Sequence, residues 1–282
     1  MIHESDKHWE IIPESSLLDL KLKETFEYRD LLWLFVKRDF ISFYKQTILG
    51  PAWFFIQPIF TVLIYSLIFG GVAKISTDGL PKPLFYLAGV ITWNYFSDCL
   101  IKTSTVFRDN AYIFGKVYFP RLIMPLSIIF SNLVRFGVQL LLFLLIMLYY
   151  ALTSQLVHIT AYILLFPFLI MLMACLGLGL GMIVSALTTK YRDLAFLITF
   201  GVPLLMYTTT VVYPLSAIPQ KYLIFVKFNP MTPIVESVRL GFMGAGTFSW
   251  SMLAYTTVVT LIILFIGIIV FNKVQKSFVD TV

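Results

Sequence analysis

Three ionisable side chains fall where an apolar chain tolerates them least. Asp98 and Lys102 stand four apart in one long apolar run, and Arg135 stands near the middle of the next. A separation of four puts Asp98 and Lys102 on one helix face. Charges inside such runs pair with one another or face a cavity. Two roles are open to this set: a buried pair or triad joining two helices, or a polar contact for an anionic headgroup. Acid–base hydrolysis is disfavoured, because Asp98 is the only acid inside a candidate span. His3, His8 and His158 are scattered outside the spans, and neither HExxH nor GxSxG occurs. Cys99 and Cys175 lie within apolar runs and give neither a disulfide framework nor a metal spacing.

A second chemistry is carried by aromatic and hydroxyl groups. Aromatic residues make up 17% of the chain. Trp53, Phe54, Phe60 and Tyr65 crowd the first long apolar run. Tyr207 and Tyr213 flank Thr208, Thr209 and Thr210 in the fifth. Most membrane aromatics are interfacial anchors or face lipid. Sugar rings, however, present C–H faces that stack on aromatics, and Thr and Tyr hydroxyls exchange hydrogen bonds with sugar hydroxyls. A wide path for a glycan would use such a lining.

The elements that must position these groups are dictated by composition. Of 282 residues, 59% are hydrophobic and 13% charged, with a mean hydropathy of +0.87. A soluble domain has about twice that charge. The expected fold is an all-α polytopic membrane protein. Spans are expected near 51–73, 84–107, 122–148, 161–187, 195–213 and 251–271, each long enough for a hydrocarbon core of roughly 30 Å. Residues 214–250 are rich in proline and glycine. They hold two short apolar pieces, about 220–228 and 233–243, that read as re-entrant or surface helices capping one side.

Ahead of the spans, Leu32, Phe35, Val36, Phe40 and Phe43 recur at helical spacing. Residues 26–49 therefore form an amphipathic interfacial helix, with Lys37, Arg38, Tyr44 and Lys45 at the headgroup layer. Residues 1–25 form a polar N-terminal segment, within which Leu18–Lys23 alternates like a short strand, and residues 273–282 form a polar tail. By the positive-inside rule the termini are cytoplasmic, since about fourteen Lys and Arg fall on their side and about five on the other. The net charge of +6 is dispersed and does not point to nucleic acid. No GxxxxGK[ST] motif occurs, so any ATP-driven step requires a separate chain.

The polar break Arg108–Arg121 then acquires a purpose. It sits between two spans on the cytoplasmic side and carries Arg108, Asp109, Asn110, Tyr112, Phe114, Lys116, Tyr118, Phe119, Pro120 and Arg121. Gly177 and Gly181 form a GxxxG pair that favours close helix packing.

Several motifs together resemble one family. Tyr28–Leu32, Lys37–Phe40 and Tyr44–Pro51 before Trp53 resemble the start of the membrane subunits of type-2 ATP-binding-cassette exporters. Asn110–Pro125, Thr189–Asp193 and Asn229–Pro230 with Glu236 and Arg239 follow in the family order. The chain is similar to the branch that exports O-antigen, capsular polysaccharide and teichoic acid. That resemblance implies a homodimer with two copies of a separate ATPase, which would hold ATP and magnesium. It implies that the interfacial helix and Arg108–Arg121 meet the ATPase. Residues 215–243, including Asn229, Pro230, Glu236 and Arg239, would form an outer gate. The implied cargo is a glycan on undecaprenyl diphosphate, moved across the bacterial inner membrane. A type-2 exporter of drugs or lipids remains the alternative, and a membrane-embedded lipid-modifying enzyme a more distant one.

Overall fold

Lipid offers backbone groups no partners, so apolar runs of this length close their hydrogen bonds within helices. The computed structural model describes residues 22–114, 116–153 and 157–279, leaving aside the side chains at 22, 23, 43, 44 and 276–279. Every regular element among the described residues is helical. In chain order they are α1 (Leu22–Glu27), α2 (Arg29–Tyr44), α3 (Trp53–Tyr65), α4 (Lys82–Ser104), α5 (Val106–Asp109) and α6 (Ala111–Phe114). There follow α7 (Ile123–Thr153), α8 (Phe166–Lys190), α9 (Asp193–Leu205), α10 (Gln220–Phe228), α11 (Met231–Met243) and α12 (Trp250–Val279). Of the expected strand Leu18–Lys23, the first four residues lie outside the described ones, and Leu22 and Lys23 open α1.

The corner from α2 into the first span is made by Gly50, at φ +53, and Pro51 in the first turn. α3 then continues through a π-helical stretch, Ser66–Val72, whose wider turns end at Ala73. Among the described residues, five helices are long and apolar enough to cross a membrane: Gly50–Val72, Lys82–Ser104, Ile123–Thr153, Ala161–Lys190 and Trp250–Gln275.

The fifth segment in sequence, Asp193–Thr208, is shorter than the expected 195–213. At 1.5 Å per residue it rises about 24 Å. It nevertheless joins opposite ends of α4. Just before it, the Thr188 hydroxyl donates to the Ser104 carbonyl at 2.6 Å. Just after it, the Thr210 and Val211 carbonyls are held beside Phe85.

α4 is the central helix, and most of its side chains are buried. Its neighbours approach through glycine. A Cβ on Gly177 would meet Cys99 Cβ at 2.8 Å, and one on Gly181 would meet Thr103 Cβ at 2.5 Å. Gly179 faces the other way, onto α12. A Cβ there would lie 2.8 Å from Leu264 Cα, and one on Gly267 would lie 2.6 Å from the Gly179 carbonyl. The run Gly177–Gly181 thus serves two helices at once. In lipid, where apolar burial does not drive helix association, such close packing is a main source of cohesion.

A second apolar cluster lies at the far end of α4. Leu32, Phe35 and Val36 of α2 pack there with Phe107, Phe119, Ile123 and Phe271. α2 and the end of α12 therefore sit at the same end of the bundle, called here the α2 end. At the opposite end, α11 is buried along nearly its whole length and closes on Gly244 at φ +71, whose amide donates to the Leu240 carbonyl.

Candidate functional site

The charges of α4 and α7 lie together, as one ion pair and one lysine held by an amide. Arg135 Nη1 donates to Asp98 Oδ2 at 2.9 Å, which joins α4 to α7. Lys102 Nζ donates to the Asn132 side-chain oxygen at 2.9 Å. Asn132 was missed in the sequence, although it precedes Arg135 by three residues and so shares its face. The Arg135 guanidinium lies 5.5 Å from the centre of the Phe54 ring, and Phe54 stacks on Phe40 of α2 at 5.3 Å. A continuous set of contacts thus runs from the surface helix to the charge pair.

Arg108–Arg121 divides into an inward and an outward half. Phe114 stacks on Phe119 at 5.7 Å, and Phe119 packs on Phe35 of α2 at 5.8 Å. Pro120 is buried beside them. The Arg121 guanidinium covers Phe114 and donates to the Gln275 carbonyl at 2.8 Å, which ties the loop to the end of α12. Asn110 caps α5 by donating to the Val106 carbonyl at 3.0 Å. Arg108 and Asp109 pair with each other at 2.8 Å on the surface. Tyr112, Lys116, Val117 and Tyr118 point out, with Tyr118 77% exposed. Phe119 and Pro120, both buried, are therefore corrected from contact residues to the packing that holds the loop in shape, while Phe114 is half-buried and packs on Phe119. Gly115 lies outside the described residues.

Lys37 of α2 and Lys45 just after its end are exposed. Arg38 pairs with Asp39 at 2.7 Å and covers Phe35. The Tyr44 side chain lies outside the described ones. Trp33 and Leu34 are also exposed, so α2 presents apolar groups on two sides.

The lining set is only partly brought together. Tyr65 and Phe69 of the first segment meet Met206 and Tyr207 of the fifth: the Tyr65 hydroxyl reaches Met206 Sδ at 3.9 Å, and the Phe69 and Tyr207 rings lie 6.5 Å apart. Trp53, Phe60, Tyr207 and Thr208 face outward. Tyr213 is half-buried and donates to the Tyr207 carbonyl at 2.7 Å. Phe54, Thr209 and Thr210 are corrected, since each is buried within the chain. Phe54 is taken up by Arg135 and Phe40, and the Thr209 hydroxyl donates to its own helix at the Met206 carbonyl.

At the α11 end, Arg239 is a wholly buried bracket. Its guanidinium donates to the Thr210 carbonyl at 2.5 Å and to the Val211 carbonyl at 2.8 Å, and reaches the Phe85 carbonyl at 3.5 Å. It lies 3.5 Å over the Phe85 ring and 3.5 Å from Glu236. The second Glu236 oxygen accepts from the Thr247 amide and hydroxyl. Glu236 and Arg239 therefore fix the stretch between Asp193–Thr208 and α12 and do not meet solvent. Asn229 donates to the Thr208 hydroxyl at 3.1 Å and accepts from the Met231 amide, while the Pro230 carbonyl accepts from Thr256.

An all-helical bundle with a surface helix at one end and the short buried helix α11 at the other defines a polytopic membrane protein. Residues 30–243 match the ABC-2 type transporter family, and the chain belongs to it. It is similar to the O-antigen export system permease protein RfbA of Klebsiella pneumoniae, at 25% identity over 93% of this chain and 99% of the relative. The protein of that name from Myxococcus xanthus is 26% identical over 93% of this chain and 98% of its own length. The polysialic acid transport protein KpsM of Escherichia coli is 23% identical over 81% of this chain and 87% of its own.

Proposed function

We propose that the chain is the membrane-spanning subunit of an exporter that moves polysaccharide out of a bacterial cell across the inner membrane. Two copies form the path at their shared interface, using the outward aromatics and hydroxyls of the first and fifth segments. The cargo is a glycan on undecaprenyl diphosphate, taken from the inner leaflet. A hydrated glycan cannot dissolve in lipid, so a protein-lined path is required. ATP and magnesium are held by a separate ATPase present in two copies, and this chain carries no catalytic step. The termini and Arg108–Arg121 lie in the cytoplasm.

The observation that carries this reading is the α2 end. There α2, the 108–121 loop and the end of α12 pack as one platform, from which Tyr112, Val117 and Tyr118 protrude. A push on that platform would reach the spans as a rigid-body movement. The near full-length match to two polysaccharide permeases from different organisms supports the cargo class.

The test is deletion of the chain followed by lipid analysis. Accumulation of a glycan-bearing undecaprenyl diphosphate inside the cell, reversed by the intact chain, is the expected outcome. Unchanged lipid-linked glycan with altered drug or phospholipid export would transfer the reading to the alternative cargo. Copurification with a tagged candidate ATPase tests the partner separately.

A further inference from the structure

The charge cluster beneath α2 is not balanced. Lys102 and Arg135 stand against Asp98, two cations to one carboxylate, while Arg38 and Asp39 of α2 neutralise each other. Asp98 is taken by Arg135 at 2.9 Å, and Asp39 by Arg38 at 2.7 Å. Lys102 donates to a neutral oxygen on Asn132, and among the described residues no carboxylate lies within ion-pair distance of its ammonium. An ammonium offers three donors, and this one uses one on the protein. A largely buried cation whose hydrogen bond goes to an amide, with Asp98 and Asp39 acting on it only through space, is costly in an apolar setting unless a closer anion completes it.

Geometry places the missing anion. Lys102 is two residues from the end of α4 at Ser104, and Asp98 is six, so the cluster lies within about 9 Å of that helix end. A helix of 23 residues rises about 34 Å, so across a hydrocarbon core of roughly 30 Å Lys102 stands at its edge and Asp98 within it, and the long side chains of Lys102 and Arg135 can reach toward the headgroup layer. The cluster also opens outward, because the Asp98 side chain keeps 34% of its surface exposed and Arg135 14%. A guanidinium beside an ammonium suits the oxygens of a phosphate group, the first as a fork and the second as a point charge.

We propose that Lys102, Asn132 and Arg135 form a binding site for a phosphate group carried on a membrane amphiphile, with Asp98 limiting its affinity. The site rests on the membrane placement of α4 and α7 and on no particular cargo. An amphiphile reaches it by sliding its headgroup beneath α2, and a free anion would have to arrive from water.

The test is thermal unfolding of the purified full-length chain in detergent, with four probes: phosphatidic acid, phosphatidylglycerol, phosphatidylcholine and inorganic phosphate. Phosphatidic acid is expected to raise the unfolding temperature of the parent, and phosphatidylcholine to leave it unchanged. Lys102→Met is expected to lose most of the phosphatidic acid shift. Asp98→Asn, which removes the competing carboxylate, is expected to enlarge it. Should Lys102→Met fail to fold, Asp98→Asn and lipid identification by mass spectrometry on the parent decide the matter. A shift from inorganic phosphate equal to that from phosphatidic acid would overturn the amphiphile and leave a free anion. Equal phosphatidic acid shifts in the parent and both variants would overturn the site. Because binding is read without export, its failure is separable from failure of the transport reading.

Discussion

At the scale of single residues, Arg239 carries the largest consequence. It is 1% exposed and holds carbonyls from the end of the fifth segment and the start of α4. Removing one partner of a buried pair leaves the other uncompensated and costs about 3–5 kcal/mol. Arg239→Met is therefore expected to lose stability of that order in denaturant unfolding of the solubilised chain. Arg239→Lys should lose less, because it keeps the charge and gives up the fork. Because the two residues are in contact, Glu236→Gln combined with Arg239→Met should cost less than the sum of the single changes. A parent-like Arg239→Met would refute the bracket. The sequence places Glu236 and Arg239 three apart on one short helix, so their pairing was legible. Their partners were not, because backbone carbonyls from residues 29 and 154 positions away leave no mark on side-chain spacing. Asp98 and Arg135 were the opposite case, since the cost of charge in lipid makes each seek the other.

At the scale of elements, close helix contact is concentrated at a few glycines. Gly179 and Gly267 meet backbone across the α8–α12 crossing, where neither side can yield by moving a side chain. Gly179→Ala and Gly267→Ala are each expected to cost about 1–3 kcal/mol through overpacking. Gly137→Ala and Gly201→Ala, which enter open space, should cost nothing measurable in the same unfolding assay. Similar losses at all four positions would show that the backbone contact does not set the effect, because the higher helix propensity of alanine would by itself raise stability. Gly177 and Gly181 were legible as a packing pair, but the second function of the run needed the register of α12, which hydropathy alone does not fix. The fifth segment shows the same limit. Its apolar composition continues to Tyr213, yet its helix stops at Thr208, just before two carbonyls that turn to a guanidinium on α11. The long helices overlap the expected spans, but α7 runs on to Thr153 and α12 to Val279, past the expected 148 and 271, because a helix can continue beyond the hydrocarbon core that apolar composition marks.

At the scale of the whole molecule, the two ends of the bundle differ in kind. The α11 end is closed on itself by Arg239 and by the 157–165 stretch, where Thr160 binds the Leu240 and Gly241 carbonyls. The α2 end leaves exposed side chains on a packed base. If Asp193–Thr208 crosses the membrane, single cysteines at Arg192 and Lys221 will label from opposite faces, and labelling from the same face would remove that crossing. The α2 end then makes the sharper prediction. Tyr118 and Phe114 belong to one loop but differ in exposure, the first largely exposed and the second against Phe107 and Phe119. A surface residue away from caps and cores alters stability by less than about 0.5 kcal/mol, whereas a packed aromatic costs about 1–3 kcal/mol. Tyr118→Ala should therefore unfold like the parent, yet lower export and the amount of ATPase that copurifies. Phe114→Ala should lower stability first, and export only in proportion to the folded protein remaining. The ratio of export to folded chain separates the two, falling for Tyr118→Ala and holding for Phe114→Ala. A Tyr118→Ala chain that exports and copurifies like the parent would show that the exposed rim is solvated surface, and that the platform transmits nothing through it.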